Sequence, residues 1–430
     1  MEPAVRKQAL TTVLPVKVGR TRALEAWLEE HAALVNTGFW HVGSLHAARF
    51  VVLHAEPASR AGIAKGTEAE GARLVFESTF DGELGRHLGE LWQHAGARLE
   101  PLLSHCEGFE VPASAASFAR YVQKYRREAA AFFCAYPALS VARVRADARL
   151  RLAVGRYLDA HFDELAELGP GEVVARLTHS LVQDHRGFDL ERVAPSPPLP
   201  DRAAVLRRHA FELGRTFLRG LVHDLSDWLG GLWALAGEPA APQHGERLEP
   251  AVWSERSDRP RRAERTLGPG HATLAVSVKA GGFRRAALRL GWRVADALGG
   301  ALAASDRAGH AGTHAARSVA LGDGRFLLSS SFDGSLEAFV GARWARARTW
   351  LALFGSNLRG FPATFAWVLG GDRASVTRWA EAHAVPALLA YSAYPGLSAR
   401  EVVSNAALRE IFAGNPDDAS ARRALEMLRD

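Results

Sequence analysis

Leu45-His46-Ala47-Ala48-Arg49-Phe50-Val51-Val52-Leu53 is echoed later in the chain as Thr313-His314-Ala315-Ala316-Arg317-Ser318-Val319-Ala320-Leu321. Working outward from this pair, Ser78-Thr79-Phe80-Asp81-Gly82 returns as Ser330-Ser331-Phe332-Asp333-Gly334, and Gly108-Phe109 as Gly360-Phe361. Ala135-Tyr136-Pro137 with Leu139-Ser140 returns as Ala393-Tyr394-Pro395 with Leu397-Ser398. The order is kept while the offset moves between 252 and 268 residues. A duplicated domain with loop insertions and deletions leaves this trace, and the period is far too long for a solenoid repeat.

Each copy reads as the same series of elements. In the first, Thr11–Val18 alternates as a strand, and Thr21–Val35 places Leu24, Trp27, Leu28, His31, Leu34 and Val35 on one helical face. Strands follow at Phe39–Leu53 and Arg73–Phe80, then a helix at Glu83–Ala95, a strand at Leu102–Phe109 and a helix at Ser117–Arg127. A short strand at Ala131–Ala135 and a helix at Ser140–Leu158 close the copy. The second copy predicts strands at 273–279, 313–321, 325–332, 354–361 and 387–393, with helices at 283–298, 335–353, 373–383 and 398–412. The first six elements run β-α-β-β-α-β, the split arrangement of a ferredoxin-like sheet. The expected class is therefore α+β: two tandem ferredoxin-like repeats, each with an extra β-α, pairing face to face as an intramolecular α/β barrel.

The expected division is a first repeat at 1–160, a helical insertion at 161–265, a second repeat at 266–415 and a tail at 416–430. The insertion holds a Pro-rich break at Ala194–Pro200 and an amphipathic stretch at Arg202–Leu235, with an apolar stripe from Phe211 to Trp233. His223, Asp224 and Asp227 interrupt that stripe, so packing against the repeats is expected over contact with a membrane surface.

Hydrophobic residues make up 48% and charged residues 23%, which excludes a disordered chain. The two cysteines, Cys106 and Cys134, exclude a disulfide scaffold and a multi-cysteine zinc module. The excess of 53 Lys+Arg over 47 Asp+Glu gives a net charge of +6. Its densest run, Arg256 to Arg265, is interleaved with acids. That pattern describes a solvated linker, and no nucleic-acid partner is expected. The N-terminal stretch has no apolar run of signal-peptide length, so a cytoplasmic location is expected.

His46 and His314 stand at equivalent places, each three residues before Arg49 or Arg317. On a regular strand, positions three apart face opposite sides, so His and Arg share a pocket only if a bulge intervenes. Asp81 and Asp333 follow a strand and precede a glycine, which suits a carboxylate capping the next helix or pairing with the neighbouring arginine. His105-Cys106-Glu107 are consecutive and do not form a Cys–His nucleophile pair on a strand. His179 with His185, and His223 with Asp227, are the other polar clusters.

The duplicated order with a helical insertion resembles the dimeric α/β-barrel superfamily over residues 10–160 and 270–415. Within it, the layout is similar to dye-decolourising peroxidases and chlorite-dismutase-like haem proteins. Those peroxidases carry Gly-x-x-Asp-Gly with its Asp on the distal side of haem; the strings here are Ser78-x-x-Asp81-Gly82 and Ser330-x-x-Asp333-Gly334. The resemblance implies a haem-binding, peroxidase-like oxidoreductase with a small-molecule substrate, a histidine on iron, and an arginine and an acid assisting peroxide cleavage. The implied set is His314 with Arg317 and Asp333, and its copy is His46 with Arg49 and Asp81; either histidine can be the axial ligand. Read without the resemblance, the same residues also suit a non-catalytic or small-ligand-binding protein that keeps the scaffold.

Overall fold

The computed structural model describes residues 7–54, 71–184, 270–279, 312–322, 324–362, 373–414 and 417–429, together with parts of 284–296. The first half runs β1 (Lys7–Pro15), α1 (Thr21–Phe39), β2 (Leu45–Leu53), β3 (Arg73–Asp81), α2 (Leu84–Leu103), α3 (Ala115–Lys124), β4 (Arg126–Arg127), β5 (Ala129–Cys134) and α4 (Val141–Ala160). Two helices follow, α5 (Phe162–Leu165) and α6 (Pro170–Asp184). The second half gives β6 (Gly270–Ser277), β7 (Thr313–Ala320), β8 (Arg325–Phe332), α7 (Leu336–Gly355), α8 (Arg373–His383), β9 (Ala384–Val385), β10 (Ala387–Ser392), α9 (Ala399–Ala413) and α10 (Asp418–Arg429).

The strands form two five-stranded antiparallel sheets, ordered β10-β2-β3-β1-β4 and β5-β7-β8-β6-β9. Each half therefore lends one strand to the other's sheet. β10 pairs with β2, Ala390 opposite Arg49, and β5 pairs with β7, Phe132 opposite Arg317. Such reciprocal exchange is what a two-fold relation between the halves produces. Every strand pairing among the described residues lies within one sheet or the other, so backbone hydrogen bonds do not close the two into a barrel.

Alternation along the strands sends one set of side chains outward and one inward. Leu10, Leu14, Phe50, Leu74 and Phe76 face outward against Leu24, Leu28, Leu91 and Leu99 of α1 and α2, and Leu389 of the exchanged β10 joins this core. The inward set meets across the gap: Val13, Val51 and Val75 pack with Val319, Leu321 and Leu327. A third core forms where α4 and α9 pack together, with Val174 and Leu177 of α6 and Ala421 and Ala424 of α10 laid over Leu150 and Phe412. The expected tail is thus helical over most of its length, and the start of the expected insertion packs on the repeats.

Other expectations need correction. α2 does not stop at Ala95; Leu99, Leu102 and Leu103 continue the helical spacing of Leu88 and Leu91, and all are buried. Residues Leu102–Phe109 are therefore a helix end and a turn, touching β1 through a single bridge from Cys106 to Val16. The second half repeats this, with Leu358 bridged to Val278 after α7. The fourth strand of each sheet is instead the two-residue β4 or β9, as Thr11 opposite Arg127 and Thr273 opposite Val385 show. β1 begins four residues earlier than expected, and Phe39 ends α1 rather than starting a strand. The stretch Phe211–Trp233, the Pro-rich break, His185, His223, Asp224 and Asp227 lie outside the described residues. Among those described, no helix is long and apolar enough to cross a membrane.

The exchange makes a prediction. Leu389 is fully buried in the outer core of the first half although it belongs to the second. Leu389→Ala is expected to cost about 2–5 kcal/mol in urea unfolding and to speed amide exchange in β2. Unchanged exchange in β2 would show that β10 does not complete the first sheet.

Candidate functional site

The two sheets face each other across a gap that is apolar at one end and polar elsewhere. Its middle layer is built by the arginines. Arg49 lies opposite Glu77 in register and pairs with it, Nε to Oε2, at 3.1 Å. Its guanidinium also crosses the gap to donate to the carbonyls of Ala272 and Ser330, both at 3.2 Å. Arg317 makes the mirror-image crossing, donating to the carbonyls of Leu10 at 2.8 Å and Ser78 at 3.0 Å. Ser329, not an acid, lies opposite it, so Glu77 is the one carboxylate set into register against a crossing arginine. Burial lowers Arg317 to about 10, opposed by the charge of Glu77, and it remains a cation at neutral pH. The expected Arg49–Asp81 and Arg317–Asp333 pairs do not form; register assigns both arginines elsewhere.

Beyond this layer lies the second polar layer, which contains both histidines. Ladder register slips between Leu45 and Ala47 in β2, and between Thr313 and Ala315 in β7. A bulge at this point places two successive residues on one side. His46 therefore turns inward with Ala47 and Arg49, and does not share the outward face of Ala48 and Phe50.

Each imidazole is held at both nitrogens. His46 Nε2 meets Asp81 Oδ1 at 2.8 Å, and its Nδ1 meets the Tyr394 hydroxyl at 2.9 Å. His314 Nε2 meets Asp333 Oδ1 at 2.8 Å, and its Nδ1 meets the Tyr136 hydroxyl at 2.7 Å. The two hydroxyls lie 2.9 Å apart. An unbroken chain thus runs Asp81–His46–Tyr394–Tyr136–His314–Asp333 from one half of the protein to the other. The exchanged strands make it possible, because Tyr136 follows β5 in the second sheet and Tyr394 follows β10 in the first.

Asp81 and Asp333 do not cap the helices that follow them. α2 starts from Glu83 without a side-chain cap. Instead Asp81 Oδ2 accepts the Val141 N–H at 2.9 Å and Asp333 Oδ2 accepts the Ala399 N–H at 3.0 Å. These are the first turns of α4 and α9, where orphan donors and the helix dipole favour a carboxylate. Burial pushes the Asp81 carboxyl up, but the His46 hydrogen bond and charge, Lys7 and the Val141 N–H outweigh it, leaving it below its ordinary value.

Lys7 is the residue of this layer that pattern reading misses. It is buried, donates to the Leu139 carbonyl, lies 4.0 Å from Asp81 Oδ1 and sits over the Tyr136 ring. Burial lowers its pKa against the opposing pull of Cys134 and Asp81. Burial likewise pushes the phenols of Tyr136 and Tyr394 well above their ordinary value, so both keep their protons. His271 joins through Ser331, Nδ1 to Oγ at 3.0 Å. These groups line a small cavity in which the centre of a water-sized molecule has about 20 Å³ to occupy. That is room for one or two waters.

Of the other candidates, Cys106 is buried under Tyr121 and its thiol is raised to about 12, chiefly by burial, which leaves it inert. Among the described residues no cluster of three or more His, Cys, Asp or Glu suits a metal ion. Comparison with protein-family models, curated proteins and solved structures finds no match.

The buried histidines set an acid limit on stability. Burial, with Lys7 adding to it, lowers His46 to about 4; burial lowers His87, wedged between Ser44 and Ser78, to about 3. Their unfolded values are about 6.5. Between that value and the folded ones the unfolded chain binds more protons, so stability is complete above about pH 6.5 and falls as the pH drops. For His46 the effect is on the order of 3 kcal/mol at the bottom of the window. Phe339 stacks on Phe332 at the place where His87 stacks on Phe80. His87→Phe is expected to flatten the loss of stability between about pH 6.5 and pH 5 in urea titrations. An unchanged slope would remove His87 from this account.

Proposed function

We propose that this chain is a small-ligand-binding protein built on two ferredoxin-like repeats, with the cavity beside the tyrosine–histidine chain as its site. The sheet order supports the scaffold: β4-β1-β3-β2 and β9-β6-β8-β7 are ferredoxin-like orders with a short fourth strand, each extended by the other's last strand. The observation that carries the function is the lining. Lys7, His46, Cys134, Tyr136, His314 and Tyr394 surround a space that apolar side chains would fill at lower cost. Buried groups with shifted titration gathered around a cavity are what a small-ligand site presents. Its size suits a polar molecule little larger than one or two waters, held by hydrogen bonds.

The peroxidase-like reading needs a histidine nitrogen for iron, an arginine free to meet peroxide and room for the macrocycle. Here both nitrogens of His46 and His314 are engaged, and Arg49 and Arg317 are spent on carbonyls of the opposite sheet. The residues of this site do not fit haem.

Thermal unfolding with formate, nitrate, azide or formamide tests the proposal. At least one is expected to stabilise the wild-type protein, by about 2.7 kcal/mol at a hundredfold excess over Kd. Ala315→Leu, which fills the cavity, should abolish the effect. A panel with no stabilising member overturns the proposal, and a Soret band on adding haemin that His314→Ala removes would restore the haem reading.

A further inference from the structure

The chain from Asp81 to Asp333 contains five polar contacts, all between 2.7 and 2.9 Å. Each needs one proton between its heavy atoms to be a hydrogen bond. The residues supply four. Each neutral imidazole carries one proton and each phenol carries one, while the two aspartates, accepting from N–H groups at both oxygens, bring none. Moving a proton along the chain or switching a tautomer relocates the gap without closing it. If each histidine donates to its aspartate, each tyrosine must donate to its histidine. The Tyr136–Tyr394 contact is then left with two oxygens and no proton.

We propose that this chain is a one-proton acceptor, and that the fifth proton, taken up at the His314 end and shared through the two tyrosines, makes it an acid–base group for the molecule held in the cavity. The step is balanced: a proton added at Asp333 or His314 makes His314 an imidazolium, whose Nδ1–H donates to Tyr136. The Tyr136 hydroxyl is then released to donate to Tyr394, which keeps its own bond to His46. No electron moves, and the proton returns by the reverse order. The two ends are unequal in a way that sets the direction. The Asp333 side chain is 27% exposed and that of Asp81 only 4%. Lys7 packs beside Asp81, and Arg145 of α4 also acts on His46, so a further cation is opposed there. Around His314 the facing groups are Asp333, Tyr136, the neutral His271 of β6 and, across the cavity, Lys7 and the thiol of Cys134.

The acid–base role rests on the ligand-binding reading, but proton uptake does not, so the test is made on protein with no added ligand. Histidine-selective ¹⁵N NMR over a pH titration reads the protonation and tautomer of His46 and His314. In the wild-type protein the His314 signals are expected to titrate with one midpoint for one proton, while His46, which takes the Tyr394 proton at Nδ1 in both states, keeps its tautomer. Tyr394→Phe leaves three contacts and three protons, so no contact waits for a fifth and the His314 midpoint should fall. Tyr136→Phe removes the acceptor of the new Nδ1–H, should lower the midpoint likewise, and serves if the first does not fold. A His314 midpoint that neither variant moves, or no titration of His314, would overturn the proposal. A His314 midpoint that both variants lower, with no binding of any small probe, would leave the proton acceptor standing and remove only its ligand.

Discussion

Tyr136 and Tyr394 meet oxygen to oxygen at 2.9 Å where the two halves of the chain cross. Everything around them follows from bringing those two phenols together. Each lies just beyond a strand that has left its own half for the other sheet, so the meeting requires the exchange. Each holds the histidine at the bulge of the strand beside it, so it also requires the slip in register at His46 and His314. The aspartates behind those histidines are fixed in turn by the first turns of α4 and α9, the helices that follow the tyrosines. The site is thus a consequence of the duplication and not a pocket added to it.

The interior between the sheets is graded. Valines and leucines fill one end, two arginines stitch the middle to backbone carbonyls of the opposite sheet, and the tyrosine–histidine layer occupies the other end. Burying charge in this way is costly unless every donor is matched. The arginines meet that cost with a single carboxylate, Glu77, and with carbonyls and hydroxyls of the opposite sheet. The halves have also diverged: His87 faces Phe339 across the symmetry, and Glu77 faces Ser329. Such differences give a pseudo-symmetric chain a preferred direction.

Much of the fold was legible in the sequence. The repeated strings located His46, Asp81, His314 and Asp333, and alternation placed most of the long strands. What could not be read was the partner of each group. Nothing in the spacing of Ala131–Ala135 says that it leaves its own sheet, because exchange depends on tertiary pairing and not on local pattern. A bulge at His46 changes the face without changing the letters, so strand spacing alone leaves open whether Arg49 and His46 share a side. The repeated Tyr136-Pro137 and Tyr394-Pro395 keep two of the six tyrosines at matching positions, but the repeat does not say what either hydroxyl meets. Lys7, one of only five lysines in the chain, had no repeat partner to draw attention to it.

The central claim is that one hydrogen-bonded chain passes through both tyrosines and couples the halves. A double-mutant cycle of Tyr136→Phe and Tyr394→Phe, read by urea unfolding at a pH where the fifth proton is bound, addresses it most directly. Each single variant is predicted to lose nearly as much stability as the double, with a coupling energy of about 0.5–3 kcal/mol. Losses that simply add, with no coupling between the two positions, would contradict it.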